Sequence, residues 1–237
     1  MPGMIIRMEE IAQKRRHSLL RSKEEFEETG KWQPLTDQMN DHRFLAVADY
    51  IKTKDVKIFR EHLSKAAGYQ LELFERAKAG ERISECYVDI YCFKHLLTAL
   101  ASGDYTIFKK FKPYVEHLKS PGHPFTKKFF RVLRDFVCED SVDLKGAIED
   151  MKEYFAKKYK SSYGYALAFE AIENKDKRAF EEAFSLILKN HKRIGEFRDS
   201  EDEVIALWPL ALINLARFKG LDVHADNFLI PKELIIQ

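Results

Sequence analysis

Cys86, Cys92 and His95 lie close together in the chain, and two thiolates with an imidazole are a familiar zinc ligand set. On a helix each residue turns by about 100°, so Cys86 and Cys92 point well apart. Cysteine is also among the most buried residue types, and packing in the core is the favoured expectation. His62 and His117 each follow a glutamate, Glu61 and Glu116. Neighbours on a helix face different ways, so a proton-transfer pair needs a partner from another segment. The wider motifs are absent: no Gly-rich phosphate loop, no GxGxxG, no GxSxG, no HExxH and no CxxC. No glutamate stands three residues before a histidine, which removes the di-iron pattern of helical bundles. The expectation is therefore no catalytic residue, no metal ligand and no cofactor, and not an enzyme.

Two kinds of cluster could instead bind. Basic groups recur at Lys14 to Arg16, at Lys109, Lys110 and Lys112, at Lys127, Lys128, Arg131 and Arg134, at Lys157, Lys158 and Lys160, and at Lys189, Lys192 and Arg193. Several interleave with Phe or Tyr, as in an RNA binder. Some end helices, where cations suit the dipole, and acidic runs such as Asp199 to Glu203 balance them. Solvated faces are favoured over nucleic acid. Tyr154, Tyr159, Tyr163 and Tyr165 gather around one helix end and the loop after it. Tyrosine offers a rigid ring with a polar tip, which suits a partner surface and equally suits the cap of a bundle core.

The elements that carry these residues read as helices almost throughout. A stripe of Met4, Ile5, Met8, Ile11 and Ala12 opens a helix that Thr29 and Gly30 end. A second helix is expected over 41–51 and a third over 54–79, stopped by Gly80. Residues 83–101 are apolar on most sides, which predicts one central, buried helix. The helix over 104–118 contains Pro113, which kinks or splits it. After the break at 120–124, helices are expected over 125–137, from Ser141 as N-cap, over 163–172 and over 175–188. Ser200, with Glu203 three residues on, predicts a capped last helix reaching Lys219 and kinked at Pro209.

The joints share a form. Asp55, Asp104 and Asp176 each follow a polar turn, and each precedes a phenylalanine by four residues: Phe59, Phe108 and Phe180. Aspartate at a helix start accepts backbone N–H groups and suits the dipole, and the phenylalanine then tucks into the partner helix. The spacing is not periodic. The fold class expected is all-α, a degenerate array of stacked antiparallel helix hairpins in the style of tetratricopeptide repeats. It is expected to form a single domain over 1–237, with 120–124 as the place for any subdivision.

Composition agrees. Ten Gly and seven Pro in 237 residues leave few tight turns for an all-β fold. Forty basic and 38 acidic residues give a net charge of +2, short of the basic excess of a dedicated nucleic-acid binder. Three cysteines make no disulfide framework and fit a reducing compartment. The opening residues lack the apolar run of a signal peptide, and residues 204–213 are too few to span a bilayer. A cytoplasmic protein with no membrane contact is expected.

The C-terminal stretch is the most distinctive. A buried helix ends in Leu215, Ala216, Arg217, then Gly220 and Leu221, and an acidic spacer leads to Pro231 and Leu234. This is similar to the end of the immunity protein 49 family of bacterial polymorphic-toxin systems, and the joint at Ala99 to Asp104 resembles the middle of such proteins. The resemblance implies an all-helical cytoplasmic protein that binds and neutralises a cognate toxin stoichiometrically. Arg217, Gly220 and Pro231 are then structural: a helix end, its stop and the turn into the tail. A helical scaffold that binds a peptide, and an RNA-binding helical protein, are the alternatives.

Overall fold

The computed structural model describes residues 2–118, 122–139, 143–194, 200–225 and 227–237. The protein is all-α, built of packed helix hairpins, with no strand among the described residues. Its internal contacts divide it into two compact units, Met1–Val88 and Asp89–Gln237. Residues 120–121 of the break expected at 120–124, and the N-cap expected at Ser141, lie outside the described residues. No described helix is long and apolar enough to cross a membrane.

The first unit is three helices in sequence: α1 (Pro2–Thr29), α2 (Gln33–Thr53) and α3 (Val56–Lys78). The second helix starts eight residues earlier than its apolar pattern suggests, because Pro34 sits in its first turn, where no backbone N–H is required. The core between α2 and α3 includes Leu35, Leu45, Val47, Tyr50, Phe59 and Leu63, each at most 1% exposed. Arg76 fastens the end of α1: its guanidinium lies 4.9 Å from the Phe26 ring and donates to the Gly30 carbonyl at 2.9 Å.

The second unit holds α4 (Phe93–Ser102), α5 (Tyr105–Lys110), α6 (Lys112–Val115), α7 (Pro124–Cys138), α8 (Leu144–Lys158), α9 (Tyr163–Glu173), α10 (Lys177–Asn190) and α11 (Leu207–Phe218). Phe129 is its hub. Its ring centroid lies 5.2–6.1 Å from those of Phe93, Phe125, Phe155, Tyr165, Phe169 and Trp208. Rings at these separations prefer tilted and edge-on contacts, which adds to their area burial. At one crossing Gly164 of α9 meets α10 so closely that a Cβ would stand 2.9 Å from Ile187 Cγ1.

The aspartate joints are one device used three times. Lys54, Gly103 and Lys175 take left-handed backbone, with φ of 58°, 79° and 54°. The next residue, Asp55, Asp104 or Asp176, then accepts N–H groups of the helix it opens, at 2.8–3.2 Å. Phe59, Phe108 and Phe180 are all buried.

Two expectations fail for local reasons. Residues 83–101 are not one helix. Short 3-10 turns occupy Glu85–Tyr87 and Ile90–Cys92, and the helix starts at Phe93. The Asp89 carboxylate takes the Tyr91 N–H at 2.8 Å, a side-chain bond that competes with the helical ladder. The last helix does not start at Ser200. A 3-10 turn spans Glu201–Glu203 and α11 begins at Leu207, whose N–H donates to the buried Asp202 carboxylate at 3.1 Å. Pro209 thus falls in the first turn, where its missing N–H costs nothing and no kink arises.

The array is also not a plain solenoid, since α11 returns to pack on α4. Asn214, fully buried, donates to the Leu100 carbonyl at 3.0 Å and accepts the Ile236 N–H at 3.1 Å. One side chain therefore joins α4, α11 and the tail.

Candidate functional site

Four element ends in the second unit enclose a cleft of about 490 Å³. The turn before α4 supplies Tyr91, and the start of α7 supplies His123, Phe125 and Thr126. The turn after α8 supplies Tyr159, Ser161 and Ser162, and the turn after α10 supplies Arg193 and Ile194. Phe125, Thr126 and Ser162 form a buried floor, while Tyr91, His123 and Arg193 are exposed.

Local chemistry sets each wall. His123 is the N-cap of α7: its Nδ1 accepts the Phe125 N–H at 3.3 Å, and Pro124 follows. With Nδ1 accepting, the neutral ring carries its proton on Nε2, which faces Tyr159 Oη at 3.4 Å. Tyr159 leaves the helical region at φ −133°, and its ring packs 5.0 Å from Phe125 and 5.7 Å from Tyr154. Arg193 donates to Asn190 Oδ1 at 3.3 Å and has no carboxylate partner among the described residues. Neither Ser161 nor Ser162 is hydrogen-bonded to His123, whose two nitrogens are already taken by Phe125 N–H and the Tyr159 hydroxyl. The cleft offers aromatic faces and a guanidinium, and among the described residues that line it no nucleophile is hydrogen-bonded to a base.

Of the four tyrosines singled out, Tyr159 lines the cleft and Tyr154 stacks behind it, with the Lys128 ammonium 5.7 Å from its ring. Tyr163 is half-buried at the start of α9. Tyr165 is a correction: two positions along the helix it faces inward, fully buried against Phe129 and Trp208, and offers nothing to a partner. Burial raises its phenol pKa well above the ordinary value, and its hydroxyl has no hydrogen-bond partner. Tyr91, His123 and Arg193 were not foreseen as companions of Tyr159. They come from segments far apart in the chain, and Tyr91 reads in sequence as part of a buried stripe, although it is 42% exposed.

Arg217 donates to Asp222 at 3.0 Å and to the Val223 carbonyl at 3.1 Å. Gly220 takes φ +89° past the end of α11, and Leu221 N–H bonds back to Ala216 O, the double-bonded stop that favours glycine. Pro231 opens the turn Lys232–Leu234. Cys92 is buried and Cys86 exposed, on separate turns, and no group of three metal-binding side chains assembles among the described residues.

The basic clusters mostly find internal partners. Lys128 and Arg131 converge on Asp150, Lys152 bridges Glu149 and Glu170, and Lys109 and Lys219 meet at Glu139. Lys158 and Lys160, exposed on either side of Tyr159, have no such partner among the described residues. A second groove, of about 400 Å³ beside α10, mixes Glu181 with Lys189 and His224 and has no single sign of charge.

The first unit holds one unusual polar pair. His62 does not pair with Glu61; it crosses to α2, where its Nδ1 lies 2.7 Å from His42 Nδ1. Its Nε2 faces Asp49 at 3.4 Å, and Arg16 holds the same carboxylate. If His62 Nε2–H points to Asp49, His42 Nδ1–H donates to His62, and His42 Nε2 is left as a buried atom without a partner. Burial, then His62, Lys65 and Lys23, push His42 down to about 3. Burial also lowers His62, with Asp49 opposing it. Two nitrogens on one zinc stand roughly 3.3 Å apart for bonds of about 2.05 Å, so this spacing belongs to a shared proton and not to a shared metal. No family model, no curated protein and no solved structure matches the chain.

Proposed function

We propose that this chain is a cytoplasmic immunity protein, which works by stoichiometric capture of a cognate protein toxin and carries out no reaction of its own. The observation behind this reading is the cleft of the second unit, where aromatic walls meet, at four element ends, a guanidinium with no carboxylate partner among the described residues. The resemblance of residues 204–234 to the immunity protein 49 family supplies the partner class. A binder needs a pre-organised surface, because every side chain already held in place lowers the entropy lost on association. Tyr159 and His123 are held in that way by Phe125. Tyrosine and arginine are also the residues that most often dominate binding energy at protein interfaces.

The test is co-expression with the product of the adjacent open reading frame in a sensitive host. Protection, and a one-to-one complex on gel filtration, are expected. Growth arrest without protection, together with no complex, overturns the proposal.

A further inference from the structure

The geometry points to a partner segment that presents a carboxylate beside an aromatic or large apolar side chain: the ring enters between Tyr91, Phe125 and Tyr159, and the carboxylate meets Arg193. This inference rests on the reading of the cleft as the contact surface and names what that surface selects.

Three observations carry it. The first is size and lining. A cavity of about 490 Å³ with a buried phenylalanine floor and two tyrosine walls is the scale of a compact ligand or a short cluster of side chains, and is not a groove that tracks an extended backbone. Tyr91 keeps a large part of its ring in water, as does half-buried Tyr159, so an entering ring gains contact area that the folded chain leaves unused.

The second is the distribution of charge. Elsewhere in this unit Lys128, Arg131, Lys152, Lys219 and Arg217 all have carboxylates within 4 Å. Among the described residues Arg193 in the cleft, and Lys158 and Lys160 beside it, have none, as is also true of exposed Lys110, Lys127 and Lys157. Among the described residues no acidic side chain lines the cavity. The described charged side chains at the cleft are therefore basic, on a protein whose net charge is only +2.

The third follows from combining these two. A purely apolar segment that filled the cleft would strip water from Arg193 and give nothing back, and a desolvated cation without a counter-charge opposes binding. A carboxylate repays that cost with a charge-assisted, bidentate contact that the planar guanidinium is shaped to make. The same cleft therefore rejects basic segments and discriminates against neutral ones. Single-stranded RNA also brings rings and negative charge, but it binds along a basic groove several nucleotides long, whereas Arg193 is the one basic side chain among the described residues that line this cavity.

The test is a selection of random seven-residue displayed peptides on the full chain. The expected winners carry Asp or Glu within three positions of Phe, Tyr or Trp. A synthetic winner should bind roughly tenfold more weakly to Arg193→Gln, as befits the loss of a charge-assisted contact. It should weaken similarly with Tyr159→Ala and with its own acid changed to the amide. Arg193 is exposed, so Arg193→Gln leaves the fold intact and keeps the test decisive. Winners without an acid, no winners at all, or equal binding to Arg193→Gln overturn the inference. Tighter binding of an oligouridine that Arg193→Gln abolishes also overturns it, in favour of nucleic acid. A toxin complex that survives both substitutions sinks this inference and leaves the immunity reading standing. Acid-and-ring winners, in the absence of any toxin complex, do the reverse.

Discussion

Lowering the pH should destabilise the first unit through one imidazole. His42 is 2% exposed and contacts His62, with Lys65 and Lys23 adding to the local positive field. Asp49, Arg16, Lys65 and Glu61 act on His62. The unfolded chain takes up a proton at His42 near pH 6.5, while the folded chain refuses it until about pH 3. Between those values the unfolded state binds more protons, so stability is intact above about 6.5 and is lost as the pH falls. The slope approaches about 1.4 kcal/mol per pH unit for one such group, and the drop from pH 6.5 to 4.5 costs about 2–3 kcal/mol. The lowered His62 acts with the same sign. The assay is urea unfolding at about pH 7, 6 and 4.5, followed by Trp32 fluorescence in a Trp208→Phe background, for the parent and for His42→Asn. Asparagine keeps a donor near the Nδ1 position and does not titrate. The parent should lose about 2–3 kcal/mol more than His42→Asn across that range. Parallel curves, or eight histidines that all titrate near pH 6–7 by NMR, would refute the reasoning.

Other substitutions probe the joints and the core. Asp55→Ala, Asp104→Ala and Asp176→Ala each remove an N-cap and should cost about 0.5–2 kcal/mol in denaturant unfolding. Lys54→Gly and Lys175→Gly relieve left-handed backbone and should raise stability by up to ~1 kcal/mol, against the usual sign for glycine. Gly164→Ala forces its methyl onto Ile187 and should cost about 1–3 kcal/mol, read as a lower melting temperature. Tyr165→Phe removes a buried hydroxyl that bonds to nothing and should be neutral or slightly stabilising; a loss above about 1 kcal/mol would reveal a hidden partner such as a trapped water.

The parts of this protein that sequence reveals are those fixed by neighbours in the chain. The aspartate joints are of this kind, since an N-cap and a phenylalanine four residues later lie within one turn of helix. The helix over 56–78 is another, because its stripe repeats cleanly between Asp55 and Gly80. Helix starts at Phe93 and Leu207 were hidden because single side-chain carboxylates, Asp89 and Asp202, decide them, and an apolar run gives no sign of either. The cleft was half legible. Tyrosine clustering marks Tyr159 and Tyr154, yet the cleft that Tyr159 lines is completed by Tyr91, His123 and Arg193, which only tertiary packing brings near. The same applies to His42 and His62, twenty residues apart on different helices.

The clasp made by Asn214 has a consequence for biosynthesis. Its acceptor, the Leu100 carbonyl, is translated 114 residues earlier. At roughly 5–20 residues per second, that interval lasts on the order of ten seconds. Throughout it, the apolar face that α4 will bury against α11 stays uncovered on the nascent chain, an open invitation to chaperones. The three helices before it pack on one another in chain order and can begin to close while the ribosome is still at work.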